Sequence, residues 1–189
     1  MPHTQLFYHL VWTTKNREAL LTPDVEPEVY GYLRSKAVGL EAVVFALNGS
    51  VDHVHLVAAI PAKIAVARFV GQIKAIASTR FNQAHPDGPT FFWQSEYGAF
   101  TFDGKRLPNY IAYVERQKEH HADRTIIPLL ERTTGGGVMV REPAVGYGGE
   151  DAEWRRDLEV QGRAWGEARP GINARARERH PMNRVGEAH

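Results

Sequence analysis

The sequence predicts an α+β fold of the ferredoxin-like, RRM-like type. In that plan a βαββαβ chain builds one antiparallel sheet with helices on one face, and here a C-terminal helix follows. Two observations carry this reading. Segments of alternating or continuously apolar character, rich in β-branched residues, occur at 6–13, 41–47, 54–60 and 99–102. Segments with apolar residues at helical spacing occupy the intervals after the first and third of them. Split βαβ units of this order pack their helices on one sheet face, so the opposite face is expected to be free for a site.

Leu6 to Thr13 alternates and reads as the first strand. Thr22-Pro23 has the chemistry of a helix start, and that helix is expected to run to Val38 with Gly39 as its stop. Glu41 to Leu47 and Val54 to Ile60 form a hairpin through Asn48-Gly49-Ser50, ended by Pro61. Ile64, Ala67, Val70, Ile73, Ala77 and Phe81 line one side of a second helix. After the loop His85-Pro86-Asp87-Gly88-Pro89, Phe91 to Trp93 and Ala99 to Phe102 make a last, broken strand. Leu107 to His121 is the third helix. These elements form one domain over 1–132. From 133 to 189 the chain is Gly-, Arg- and Glu-rich with little apolar periodicity, and reads as a largely disordered tail with Trp154 and Trp165 as its only anchors.

Composition narrows the function classes. The chain has 189 residues, 43% apolar and 24% charged, which is the balance of a soluble domain. It has no cysteine, which excludes disulfides and thiolate metal sites and leaves nitrogen and oxygen as the only ligands. No stretch is apolar enough to span a bilayer and no leader pattern opens the chain, so a cytoplasmic location is expected. Net charge is +1 and does not bear on nucleic acid, but between Pro61 and Pro86 all charged residues are basic (Lys63, Arg68, Lys74, Arg80). That stripe is a candidate DNA-backbone contact, with Lys15 and Arg17 after the first strand as further candidates. A solvated helix face is the plainer alternative.

Two constellations carry chemistry. In Asp52-His53-Val54-His55, residues i and i+2 of a strand point to the same side, so both imidazoles project from one face while Val54, Leu56 and Ala58 enter the core. Paired this way they can supply two cis positions on a metal. On the last helix, Tyr113 and Gln117 lie one turn apart on the same face. Together they suggest a divalent cation on neutral ligands, facing a phosphodiester, with a tyrosine as nucleophile. Attack by tyrosine in place of water conserves the ester bond, which suits strand rearrangement better than degradation.

At these residues the chain resembles the single-tyrosine HUH transposases, which include the IS200-like insertion-sequence enzymes and the REP-associated tyrosine transposases. His53-Val54-His55 matches their His-hydrophobic-His signature, and Tyr113-Val114-Glu115-Arg116-Gln117 their Tyr-apolar-x-x-Gln. The opening His9 to Arg17, Trp93-Gln94, Tyr97 to Phe100 and Glu119-His120-His121 are also similar, so the likeness covers about 5–132. Tyr110 does not fit the nucleophile pattern, since Val114 stands four residues on. Glu96 and the long tail depart from the family.

The resemblance implies Tyr113 as nucleophile, His53, His55 and Gln117 as ligands of Mg²⁺ or Mn²⁺, and a 5′-phosphotyrosine intermediate. It also implies single-stranded DNA with hairpin ends as the partner, a homodimer, and a prokaryotic, nucleoid-associated setting. Histidine-triad hydrolases would need a third histidine where Val57 stands. An RNA-recognition sheet would carry stacking aromatics where the histidines are. A catalytically silent, domesticated hairpin-DNA-binding regulator of the same fold is the remaining alternative.

Overall fold

The computed structural model describes residues 4–134, together with 156, 159 and 160. The elements run β1 (Phe7–Thr13), α1 (Glu26–Gly39), β2 (Val43–Ser50), β3 (His53–Ala59), α2 (Val66–Ala84), β4 (Gly98–Phe102), α3 (Leu107–Glu115) and α4 (Gln117–Asp123). The sheet order is β2-β3-β1-β4 with every neighbouring pair antiparallel, as the βαββαβ plan requires. No described helix is long and apolar enough to cross a membrane.

Strand alternation divides the interior in two. Leu10, Trp12, Val54, Leu56 and Ala58 face Val29, Leu33 and Ala37 of α1 and Phe69, Val70, Ile73, Ala77 and Phe81 of α2. On the other face Val11, Val57, Phe100 and Phe102 meet Tyr110, Tyr113 and Val114 of α3, with Ile127, Leu129 and Leu130 beyond them. That second face was expected to be open, and it is covered. Its strand residues are apolar enough that leaving them in water would cost about 1.5–3 kcal/mol for each large side chain. The C-terminal helices and the 125–131 segment therefore close over them.

Phe91–Trp93, expected as part of the last strand, makes only an isolated bridge from Trp93 to Thr14, and three further boundaries that bear on the site also move. Thr22 and Pro23 precede the helix instead of opening it: the Thr22 carbonyl accepts from the Val25 and Glu26 amides, and α1 starts at Glu26 with Pro27 in its first turn. The hairpin turns at Val51-Asp52, not at Asn48-Gly49-Ser50, because Ser50 still pairs with His53. Gly49 is needed inside the strand, since a Cβ there would collide with the His53 carbonyl oxygen. The third helix breaks at Arg116 (φ −100°, ψ 18°), where the Asn48 side chain donates to the Glu115 carbonyl at 2.7 Å. α4 then ends at Arg124 in the left-handed region (φ 56°), which turns the chain back across the sheet. Gly98 lets it pass, because a Cβ there would meet the Arg132 carbonyl oxygen. Trp154 and Trp165, and the tail from 135 onward apart from residues 156, 159 and 160, lie outside the described residues.

Candidate active site

β3 places His53 and His55 on the same side as Val57, and both rings are buried beneath the C-terminal helices. Each ring is held through Nδ1. His53 Nδ1 lies 2.6 Å from Asp52 Oδ1, while Asp52 Oδ2 accepts from Arg17 Nη1 at 3.0 Å. His55 Nδ1 lies 2.9 Å from Nε2 of His9, a β1 residue with no exposed surface. The Nε2 atoms are left to converge: Glu131 Oε2 lies 3.4 Å from that of His53 and 3.1 Å from that of His55.

The other oxygen of Glu131 meets the tyrosine. Tyr113 donates its hydroxyl proton to Glu131 Oε1 at 2.6 Å, and its oxygen accepts from the Ile127 amide at 3.0 Å. The ring stands edge-on to His55 with centroids 6.1 Å apart, and stacks on His120 at 5.0 Å. Gln117 is fully buried one turn on, its amide nitrogen 3.4 Å from the Tyr113 carbonyl. Its Oε1 has no hydrogen-bond partner among the described residues. His121 completes the surroundings, with its ring 4.6 Å from that of His53 and its Nε2 3.9 Å from Glu131 Oε2. Tyr110 packs elsewhere, stacked on Phe102 at 4.0 Å.

Burial sets the electrostatics. It pushes the His9 and His55 pKa values down, in His55 against the pull of Glu131, so both are neutral imidazoles near pH 7. The Tyr113 pKa is raised, first by burial and then by the adjacent carboxylate. Burial works against ionisation of Glu131 as well, but His55, the Tyr113 hydroxyl and His53 outweigh it and bring that carboxyl down to about 2. Asp52 is lowered mainly by its hydrogen bond to His53.

The donor set fits a divalent ion. One ligand atom each from His53, His55 and Glu131 lie within 4.8 Å of one another, and one turn beyond Tyr113 the buried amide oxygen of Gln117 has no partner among the described residues. Two imidazole nitrogens with a carboxylate oxygen form a nitrogen-and-oxygen donor set for a divalent metal.

The candidate DNA contacts scatter. Arg17 borders the site through Asp52, and Lys15 adjoins it in the chain. Lys63 pairs with Glu41 and Arg80 lies over the Tyr32 ring. Lys74 is buried, its ammonium donating to the carbonyls of Gln94, Ser95 and Glu96 at 2.5, 3.2 and 3.3 Å. Those three bonds use all its protons and leave none for a phosphate. Lys74 and Arg80 belong to α2, which packs on the sheet face opposite the histidines, as does Arg68 by sequence.

Sequence reasoning missed Glu131 and His9. The signal for Glu131 was the apolar run Ile126-Ile127-Pro128-Leu129-Leu130, which has to return to a core and carries the next residue with it. His9 sits in an ordinary alternating strand, and nothing local marks it.

Comparison with known proteins places the chain. A family profile described as "Transposase IS200 like" matches residues 2–117, a span that holds His53, His55, Tyr113 and Gln117 but not Glu131. The ISDra2 transposase TnpA of Deinococcus radiodurans is 30% identical over 89 residues, which are 47% of this chain and 64% of that relative. The match thus spans just under two thirds of the relative's length. Among solved structures, a putative transposase from Deinococcus radiodurans shares 22% identity with a TM-score of 0.49, over 66% of this chain and 94% of that one. A REP-associated tyrosine transposase bound to a REP hairpin shares 13% identity with a TM-score of 0.49, over 64% and 74%. With its profile match covering well over half of the sequence, the chain belongs to the IS200-like transposase family.

Proposed function

We propose that this protein cleaves and rejoins single-stranded DNA beside hairpins, with Tyr113 as nucleophile and a 5′-phosphotyrosine intermediate. The observation that carries it is the meeting of three groups at one point: the Tyr113 hydroxyl and the Nε2 atoms of His53 and His55 all contact the single carboxylate of Glu131. A phosphodiester would need that same space, with the nucleophile on one side and the metal ligands on the other.

His53, His55 and Gln117 would hold Mg²⁺ or Mn²⁺, with Glu131 adding a carboxylate. When bound, the ion supplies positive charge that polarises a non-bridging phosphate oxygen. The tyrosine needs that help, because burial and Glu131 keep its hydroxyl protonated at neutral pH. In cleavage the Tyr113 oxygen forms a bond to phosphorus as its proton leaves along the hydrogen bond to Glu131, and the bond from phosphorus to the 3′ oxygen breaks. The freed 3′ oxygen takes a proton from water. Rejoining is the reverse: a 3′-hydroxyl attacks phosphorus and Tyr113 departs with its proton restored.

Lys15 and Arg17, at the edge of the site, are the favoured DNA-backbone contacts, with Lys63, and with Arg68 and Arg80 of α2 across the sheet. A homodimer acting on two hairpin ends is part of the same proposal. The closed site, with Tyr113 fully buried, favours one second reading: a silent hairpin-binding regulator.

One assay separates them. Labelled single-stranded DNA from the protein's genomic flanks, incubated with Mg²⁺ or Mn²⁺, is expected to give a covalent adduct on a denaturing gel. Tyr113→Phe should abolish it, and Tyr110→Phe should not. Adduct surviving in Tyr113→Phe overturns the assignment, while tight binding with no adduct under any metal supports the regulator.

A further inference from the structure

An imidazole is a costly choice for the position of His9. Around it the sheet face is apolar and aromatic: its ring lies 5.9 Å from that of Phe100, 5.7 Å from that of Tyr110 and 6.5 Å from that of Tyr113. Burying two ring nitrogens there costs free energy unless they are bonded, and a leucine or phenylalanine would pack without that cost. Only Nε2 finds a partner, His55 Nδ1, while Nδ1 of His9 is buried with none among the described residues. The single hydrogen bond to His55 is what the imidazole supplies.

That bond differs in kind from the one holding His53. Asp52 is a carboxylate and can only accept, so Nδ1 of His53 carries a proton. His9 can donate or accept. If His9 Nε2 donates, His55 has its proton on Nε2, which then donates to Glu131 Oε2 at 3.1 Å. If His9 Nε2 accepts, His55 is protonated on Nδ1 and its Nε2 lone pair is free for a metal. The first arrangement fits the contacts seen: His55 Nε2 bonds to Glu131, whereas His53 Nε2, 3.4 Å from the same oxygen, makes no hydrogen bond.

We propose that His9 is a positioning residue that sets the tautomer of His55, holding it on Glu131 without metal and releasing its Nε2 when metal binds. The proposal rests on reading His53 and His55 as ligands. The exchange balances: one proton leaves His55 Nε2, the shared proton passes from His9 Nε2 to His55 Nδ1, and one proton arrives at His9 Nδ1. Net charge of the pair is unchanged. His53 is thus the ligand fixed in advance, and His55 the one that switches.

The test reads ring protons and metal affinity separately, on the full chain. Long-range ¹⁵N–¹H NMR of the metal-free protein is expected to show His53 protonated at Nδ1 and His55 at Nε2. Saturation with Zn²⁺, a diamagnetic probe, should move the His55 proton to Nδ1. In His9→Leu the metal-free Nε2–H preference of His55 should be lost, and Mn²⁺ affinity by calorimetry should fall by about 10–100-fold. His9→Gln, which can still donate or accept, should stay within a few-fold of wild type. A purely structural His9 would lower stability in urea and leave tautomer and affinity alone. His55 protonated at Nδ1 in the metal-free wild type, or equal Mn²⁺ affinity in His9→Leu, overturns the proposal. If wild type itself takes up neither Mn²⁺ nor Zn²⁺, the ligand reading fails, and the metal-free spectra still decide whether His9 sets the tautomer.

Discussion

Tyr113 and Glu131, eighteen residues apart, are joined by a 2.6 Å hydrogen bond in which the proposed nucleophile gives its proton to a carboxylate that also faces both histidines. Around that bond the site is closed. Tyr113, His55 and Gln117 have no exposed surface, and the hydroxyl oxygen accepts a second hydrogen bond from the Ile127 amide. In the proposed reaction a phosphate would compete with Glu131 for the place beside the Tyr113 hydroxyl.

Glu131→Gln removes a negative charge beside the phenol. Since Glu131 helps to raise the Tyr113 pKa, the variant should ionise this tyrosine at lower pH than wild type. Ultraviolet difference titration against Tyr113→Phe isolates the residue. An unchanged midpoint would show that burial alone sets it.

The pH dependence of stability has a definite sign. His9 and His55 have folded pKa values below the ordinary 6.5, so beneath pH 6.5 the unfolded chain binds more protons and stability falls. Glu131, lowered from 4.5 to about 2, adds a loss between those values as its carboxylate protonates. Urea midpoints with chelator present should decline steadily from pH 6.5 downward. His9→Leu should flatten the first part of that decline, and parallel curves for variant and wild type would count against the burial argument.

Arg17 and Lys74 should behave oppositely in DNA binding. Arg17→Ala removes an exposed charge at the edge of the site and should lower the slope of log affinity against log salt by about one. Lys74→Met should leave that slope unchanged, and cost about 1–3 kcal/mol of stability by orphaning carbonyls of the 94–96 loop. A lower slope in Lys74→Met would restore it as a phosphate contact.

The 125–131 segment should prove integral to the domain. Leu130 is fully buried in the second core, so Leu130→Ala is expected to cost about 2–5 kcal/mol by urea unfolding. Truncation after Arg132 should leave the fold and its stability nearly intact. Truncation after Asp123, which strips Ile127, Leu129 and Leu130 from the core, should not give a cooperative transition.

Much of this was legible along the chain. Strand period fixed that His53 and His55 share a face, and helical period put Gln117 one turn beyond Tyr113, a spacing that survives the break at Arg116. Apolar patterning sufficed for the order of elements and hence for the sheet. Periodicity, however, reports only where a side chain points relative to its own element. Which elements face one another depends on how the apolar surfaces find cover. That packing laid α3, α4 and the 125–131 segment over the face that alternation alone left open. It brought Glu131 to His55 across 76 residues and His9 to His55 across 46. It also set the α2 basic residues on the opposite side of the sheet from the site. Local period was enough to group His53 with His55 and Tyr113 with Gln117; the carboxylate of Glu131 and the imidazole behind His55 came from packing alone, because those contacts arise from nonlocal burial and not from any local repeat.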